Sequence, residues 1–326
     1  MERKRELSCK ILIFTCFLLS ACSRISYETT VEIVPTGISM NTRAYLPDED
    51  RISDMSLLIF DSYGRLEYCS FSGYTGSCSV SLLKGERYSI HAFLNFGYMV
   101  KAESVDELED ITFYLAYPDE YRSGIPMYGC TEIVIEDQSR IEVEVERLMA
   151  KISMRVDRSR LSGDVQMDIT SVRIGNCPKT AYVLKESRSV STDDCFVTGF
   201  LHTGAECSAL NTEGKDRQSG WLSLYMLENM QGRFSEDGIG SDEEKVFEEY
   251  DIRSTICSFI EIEMDYSSPL WTSMGKPLTY RFYLGEERNS LNIERNCHYH
   301  ITITPEDDGL HGDGWRIDKT GLKYTG

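Results

Sequence analysis

Ile141-Glu142-Val143-Glu144-Val145-Glu146, followed at once by Arg147-Leu148-Met149-Ala150-Lys151-Ile152, decides the fold class of this chain. Branched aliphatics alternate with carboxylates at a period of two. Successive side chains of a strand leave on opposite faces, so the stretch predicts a strand with one buried and one wet face. The pattern recurs at Ile260, Ile262, Met264 and Tyr266, alternating with Glu261, Glu263 and Asp265. It recurs again at Tyr299, Ile301 and Ile303, alternating with His300, Thr302 and Thr304. A mainly β chain built of sandwiches is the expectation.

Working outward, further strands are predicted at Thr30–Ile33, Ser56–Asp61, Leu66–Phe71, Ser77–Leu83, Tyr88–Leu94, Ile133–Glu136, Lys151–Asp157, Asp168–Ile174 and Thr279–Leu284. One helix is predicted, Val105–Tyr117. Ser104 and Glu107 would form a capping box, with Leu108, Ile111 and Leu115 on one face. Glu186–Gly220 and Gly232–Glu244, polar and poor in periodicity, are predicted as loops. A strand ending at Glu146 and another beginning at Lys151 leave no room for a flexible linker. Two domains are therefore expected, 22–147 and 148–326, held rigidly together with a boundary near Arg147.

The N-terminus carries a separate message. Arg3, Lys4, Arg5 and Lys10 precede an uncharged run, Ile11 to Leu19, which ends in Leu19-Ser20-Ala21-Cys22. That run is far shorter than the about 20 apolar residues that span a bilayer core, and it has the length of a signal-peptide h-region. Residues 1–21 read as a leader of the bacterial lipoprotein type, which implies cleavage before Cys22 and lipidation of that cysteine. Several acyl chains together make a durable anchor, at about 0.8 kcal/mol per buried CH₂.

The chain of 326 residues carries a net charge of −19. The leader holds four basic and two acidic residues, which leaves −21 on the remainder. Nucleic acid is excluded as a partner, because phosphate binding needs Lys and Arg. Anionic lipid would not attract such a surface, so attachment to a membrane rests on the acyl chains.

Eight cysteines remain beyond Cys22. An exported compartment permits disulfides. A hairpin of Leu66–Phe71 and Ser77–Leu83 would bring Cys69 opposite Cys78, the one pairing with a local geometric argument. The alternative is two half-buried thiols. No CxxC occurs.

Catalytic and metal motifs are missing. The sequence contains no GxSxG, HExxH, P-loop or GxGxxG, and no enzyme or cofactor is implied. His298 and His300 share one strand face and His311 follows, but a wet His/Thr face is the favoured reading over zinc. Asp307, Asp308 and Asp313, and the run Glu236, Asp237, Asp242, Glu243 and Glu244, lack the spacing of a calcium loop.

Several phrases taken in order carry a family likeness. They are Leu57-Leu58-Ile59-Phe60-Asp61 with Gly64; Gly85-Glu86-Arg87-Tyr88 with Ala92 and Asn95; and Ile125-Pro126-Met127-Tyr128-Gly129. Then come Arg147 to Ile152, Tyr225-Met226-Leu227-Glu228-Asn229-Met230-Gln231-Gly232, Tyr280-Arg281-Phe282-Tyr283-Leu284-Gly285, and Asn292-Ile293-Glu294-Arg295-Asn296 with Tyr299. Behind a lipoprotein leader, this order resembles the FimB-type fimbrial subunit family of Bacteroidota, lipoproteins of type V pili. The resemblance implies two tandem transthyretin-like β-sandwich domains. It also implies an anchor that ties a fibre to the outer membrane, with other fimbrial subunits as partners. Read from their own chemistry, Gly85 and Gly129 are turn residues, and Asn95 and Asn296 bond backbone at strand ends. Arg147, Lys151 and Arg295 are candidates to pair with buried carboxylates.

Three roles remain open on the sequence: an anchor, a polymerising stalk or tip subunit, and a surface lipoprotein that binds host glycan or protein through its loops. A stalk subunit would lose its first strand to a protease, and Arg43-Ala44 is the expected cut. The tail, where Trp315, Ile317 and Leu322 are the apolar residues, is the candidate donor strand for a partner's groove. Tyr74, Trp221 and Trp271 are the loop aromatics that host binding would favour.

Overall fold

The computed structural model describes residues 27–37, 51–73, 76–234, 247, 250–269, 277–286, 289–309 and 315–321. The chain is mainly β, as the alternation predicts. In order, its strands are β1 (Glu28–Thr36), β2 (Asp54–Phe60), β3 (Leu66–Gly73), β4 (Cys78–Leu83), β5 (Arg87–Leu94), β6 (Thr112–Tyr114) and β7 (Met127–Val134). There follow β8 (Arg140–Glu144), β9 (Glu146–Arg147), β10 (Met149–Val156), β11 (Gln166–Pro178), β12 (Thr180–Tyr182), β13 (Cys195–Thr203) and β14 (Leu222–Leu227). The last are β15 (Asn229–Arg233), β16 (Phe259–Ser267), β17 (Leu278–Tyr283), β18 (Ser290–Ile293), β19 (Cys297–Ile303) and β20 (Trp315–Gly321).

Two sheets draw only on strands before Leu148, in the orders β4-β1-β8 and β3-β2-β5-β7-β9. Two draw only on strands after it, in the orders β14-β10-β19-β20 and β13-β11-β16-β17. Apart from β9 and β20, which have no counterparts, the second pair repeats the first. β1 runs antiparallel to β4 and parallel to β8, as β10 runs antiparallel to β14 and parallel to β19. The order β3-β2-β5-β7 is matched by β13-β11-β16-β17. This internal repeat has no counterpart in recognisable sequence similarity; period-two burial constrains only which positions are apolar.

The alternation maps onto burial. Ile141 and Val143 are buried in β8 between exposed Glu142 and Glu144. Ile260, Ile262, Met264 and Tyr266 point into the core from β16, as do Tyr299, Ile301 and Ile303 from β19. Glu261 departs from the wet face. It is buried and held between Arg173 (2.5 Å) and Arg281 (2.7 Å), whose hydrogen bonds outweigh burial and keep its carboxyl below the usual range.

The opening stretch is not one strand. It divides at Val145: β8 lies in the β1 sheet, while Glu146 and Arg147 pair with Tyr128 and Met127 of the facing sheet. The chain thus crosses between layers within two residues. Gly129 serves this crossing rather than a turn, because a Cβ there would lie 2.0 Å from the Glu144 carbonyl oxygen. Gly85 is the turn residue expected, at φ +86°.

Other expectations are corrected. Residues 105–117 do not form a helix. A 3₁₀ turn, Asp106–Asp110, buries Leu108 and gives way to β6, whose backbone bonds to β12 across the molecule. That ladder satisfies amide groups that a helix would have closed internally. Glu107 does accept a backbone N–H, but from Glu103 (2.9 Å). Within the predicted loop 186–220 lies β13, which pairs along β11 and buries Phe200. Its Gly and Thr residues had masked the strand. The predicted hairpin around residue 74 does not close: β3 pairs with β2, whereas β4 joins β1 in the opposite sheet. Cys69 and Cys78 are separate free thiols, both half-buried. The second predicted loop lies mostly outside the described residues.

The halves are joined by a short link and by direct contacts. Only Leu148 separates β9 from β10, and it is buried. The β6–β12 ladder is extended by Leu115 N–H to Lys179 O (2.8 Å) and Val183 N–H to Ile111 O (3.0 Å). Tyr121 of the first half packs its ring on Phe200 and Tyr225 of the second. Arg295 braces the second side. It pairs with Glu228 (2.5 Å), both largely buried, and donates to the carbonyls of Tyr182, the last residue of β12, and of Val183 and Lys185 beyond it. This is the buried pairing expected of Arg295.

Candidate functional site

β1 is the element of greatest interest. It is the first described strand, lies a few residues beyond Cys22, and is the middle strand of its sheet. The sequence makes it amphipathic: Val31, Ile33 and Pro35 are buried, while Glu28, Thr30 and Glu32 are exposed. Val80 and Leu82 on β4, and Ile141 and Val143 on β8, are its buried neighbours. The outward face makes small polar contacts, such as Ser77 Oγ–H to Glu32 Oε1 (2.5 Å) and Thr30 Oγ1 with Ser81 Oγ (3.4 Å).

Within this sheet, β4 and β8 meet only through β1. Taking β1 away would leave two facing edges of unpaired N–H and C=O groups over an apolar floor, two strand spacings or about 9.6 Å apart. Such a gap accepts one extended segment with apolar residues at alternate positions. The sequence located β1 through Thr30–Ile33 but did not identify its partners. The alternation in 141–146 was the signal for β8, and its parallel pairing to β1 had no local mark.

At the opposite end of the chain, β20 lies antiparallel to β19 at the sheet edge, with Ile317 facing Ile301 and packed against the core. The tail is thus an edge strand of its own second half, not a free segment. Cys22, Arg43, Ala44 and Leu322 lie outside the described residues, as do Tyr74, Trp271 and His311.

Other predicted groups fall into structural roles. Asn95 and Asn296 adopt φ of +61° and +54°, which Asn tolerates. Asn95 Nδ2 donates to Arg51 O and Ile125 O, and its Oδ1 accepts the Ser53 N–H. Asn296 Oδ1 accepts the Arg147 N–H (3.4 Å). Lys151 is buried with its Nζ over the Tyr225 ring. The rings of His298 and His300 lie 3.7 Å apart and tilted by 35°, and His298 Nε2 meets Ser153 Oγ at 2.7 Å. This face is less wet than expected: burial, with His300 and Lys151 adding, pushes the His298 pKa down to about 3. Trp221 packs against Arg155 and His300. Asp307 accepts from the Ser162 amide, and hydrogen bonds from Ser162 hold its carboxyl low. No cluster of three or more His, Cys, Asp or Glu suited to a metal occurs among the described residues.

A model of a domain of unknown function, DUF4906, matches residues 224–303, from β14 to the end of β19. No curated protein matches the chain. Solved structures do. The chain is similar to the tip fimbrial protein Mfa3 from Porphyromonas gingivalis at 12% identity and a TM-score of 0.56, covering 90% of this chain and 100% of that one. It is similar to a fimbrilin from the same organism at 13% identity and a TM-score of 0.52, covering 91% and 98%. A candidate cell adhesion protein from Bacteroides eggerthii is similar at 12% identity and a TM-score of 0.56, covering 92% and 97%. At these identities the likeness establishes a shared fold, and it runs through both halves.

Proposed function

We propose that this protein is a non-enzymatic fimbrial lipoprotein that anchors a type V fimbria to the outer membrane through lipidated Cys22. The halves act as two tandem transthyretin-like domains, 22–147 and 148–326. The observation that carries this reading is the placement of β1. It is a middle strand that begins six residues after Cys22 in sequence, in a fold shared over nine-tenths of the chain's length with a tip fimbrial protein and a fimbrilin. An anchor keeps β1, because a cut at Arg43–Ala44 would separate the body from the lipid. A stalk subunit loses it and opens the gap between β4 and β8 to a partner's strand. In the anchor, the joint to the fibre is made at the tail, where β20, with Trp315 and Ile317, is an edge strand and Leu322 follows it in sequence. Backbone pairing supplies the ladder and alternate side chains fill the neighbour's groove.

Mass spectrometry of the protein from isolated outer membranes and fibres tests the choice. Peptides spanning Arg43–Ala44 in fibre-associated protein are expected for an anchor; a uniform start at Ala44 would reassign it to the stalk. Cys22→Ser should move the protein out of the membrane fraction or stall its processing.

A further inference from the structure

A cleft of about 330 Å³ opens in the first half, all of its lining residues lying between Asp54 and Gly124. Its walls are aromatic: Phe96, Tyr98, Phe113, Tyr114 and Tyr121. Tyr98 and Tyr114 lie almost parallel, ring centres 5.9 Å apart, and Tyr114 is 56% exposed. Phe96 meets Tyr98 edge-on, and Phe113 meets Phe96 in the same way. Burial pushes the Tyr98 phenol up to about 12, so its ring stays neutral. The cleft also holds two carboxylates, Asp54 and Glu120, and no basic side chain among the described residues lines it. Each accepts one backbone N–H, Asp54 from Gly97 (3.1 Å) and Glu120 from Ala116 (2.5 Å). Neither makes an ion pair among the described residues.

The lining is held firmly. β6 presents Tyr114 while its backbone is tied into the β6–β12 ladder, and Tyr121 is wedged against Phe200 and Tyr225. Aromatic faces attract cations through the ring quadrupole, and Arg more often than Lys, because the flat guanidinium stacks and pairs a carboxylate through two N–H groups. The cleft sits at the low end of the volume range of ligand sites, about 300–1,000 Å³, which suits one side chain better than an oligosaccharide. The net charge of −19 favours approach of a basic partner.

We propose that this cleft binds an arginine side chain of a protein partner, its guanidinium on the exposed Tyr114 ring and its charge met by Asp54 and Glu120. The inference stands apart from the fimbrial reading, because it concerns neither the lipid nor β1. The test uses full-length protein in detergent, with acetyl-Gly-Arg-Gly-amide and acetyl-Gly-Gln-Gly-amide as probes, read by isothermal titration and by shifts of tyrosine ring resonances. The arginine peptide should bind at least about tenfold more tightly than the glutamine peptide. Tyr114→Ala should abolish that preference, and so should Asp54→Asn combined with Glu120→Gln, which keeps both acceptor oxygens and removes the charge. Unchanged circular dichroism in the charge-neutral variant separates lost binding from lost fold. Equal binding of the two peptides, or a preference that survives removal of both charges, would overturn the proposal. So would binding of a neutral oligosaccharide probe in place of the arginine peptide.

Discussion

β1 and β10 hold the same place in the two halves, yet they are embedded differently. Each runs antiparallel to one neighbour and parallel to the other. β1 alternates, with three buried residues between exposed ones, so one of its faces is in water. β10 is buried along nearly its whole length, and Lys151 and Ser153 on its outer side are as covered as Ile152 and Met154. β1 is separated from β2 by seventeen residues, whereas β10 follows β9 after one. Equal topology therefore does not mean equal permanence. A strand covered on one face and loosely joined in sequence can be exchanged for another; one covered on both faces and fused to its neighbour cannot.

The same contrast extends to individual interactions, and the largest effect should come from the second half. Removing the guanidinium in Arg295→Met leaves Glu228 buried without its partner and frees the chain beyond β12. A loss of about 3–5 kcal/mol is expected in urea unfolding. The pair in the corresponding first half, Arg65 with Asp61, is solvent-exposed on the arginine side (71%), and Arg65→Ala should shift the midpoint little. Similar losses for the two variants would show that burial does not set the difference.

Close packing gives the next comparison. Gly129→Ala drives a methyl into the Glu144 carbonyl at 2.0 Å, where the backbone crosses between sheets and cannot give way. Gly175→Ala on β11 meets the ring of Phe259 at 2.1 Å, and a ring can turn aside. Overpacking costs of about 1–3 kcal/mol are usual, so Gly129→Ala should fall at or above the top of that range and Gly175→Ala lower within it. Thermal or urea midpoints of both variants measure the order; a reversed order would place the rigid crossing elsewhere.

Acid should weaken both halves through their histidines. His91 is buried between Ser89 Oγ (2.6 Å) and Tyr128 Oη (2.8 Å), and burial pushes its pKa down to about 4. The unfolded value is about 6.5. The folded state therefore binds this proton less readily than the unfolded chain. Its full stability is present above pH 6.5 and is lost as pH falls toward 4. From pH 7.5 to pH 5 the loss from His91 is about 2 kcal/mol. His91→Gln removes this dependence, so the gap in unfolding free energy between wild type and variant should narrow by about that amount. A gap constant with pH would mean that His91 is protonated as easily in the fold as outside it.

Period-two runs such as 141–146, 260–266 and 299–303 determined the strands, their buried faces and the β class, because burial on one face of a pleated strand leaves its mark residue by residue. The basic run before Ile11 and the stretch Leu19-Ser20-Ala21-Cys22 are likewise local patterns, readable without a fold. What the sequence could not reveal is whatever depends on distant partners. The segment 112–114 became a strand because β12, some seventy residues away, supplies its hydrogen bonds. The division at Val145, the assignment of β3 and β4 to opposite sheets, and the parallel pairing of β1 with β8 are equally non-local. The aromatic cleft also arose only on folding. Tyr98, Tyr114, Asp54 and Glu120 carry no common mark in sequence, and they converge because β2 pairs with β5 and β6 with β12, ladders that no short window contains. Local chemistry set which residues turn inward; long-range backbone pairing decided which of them meet.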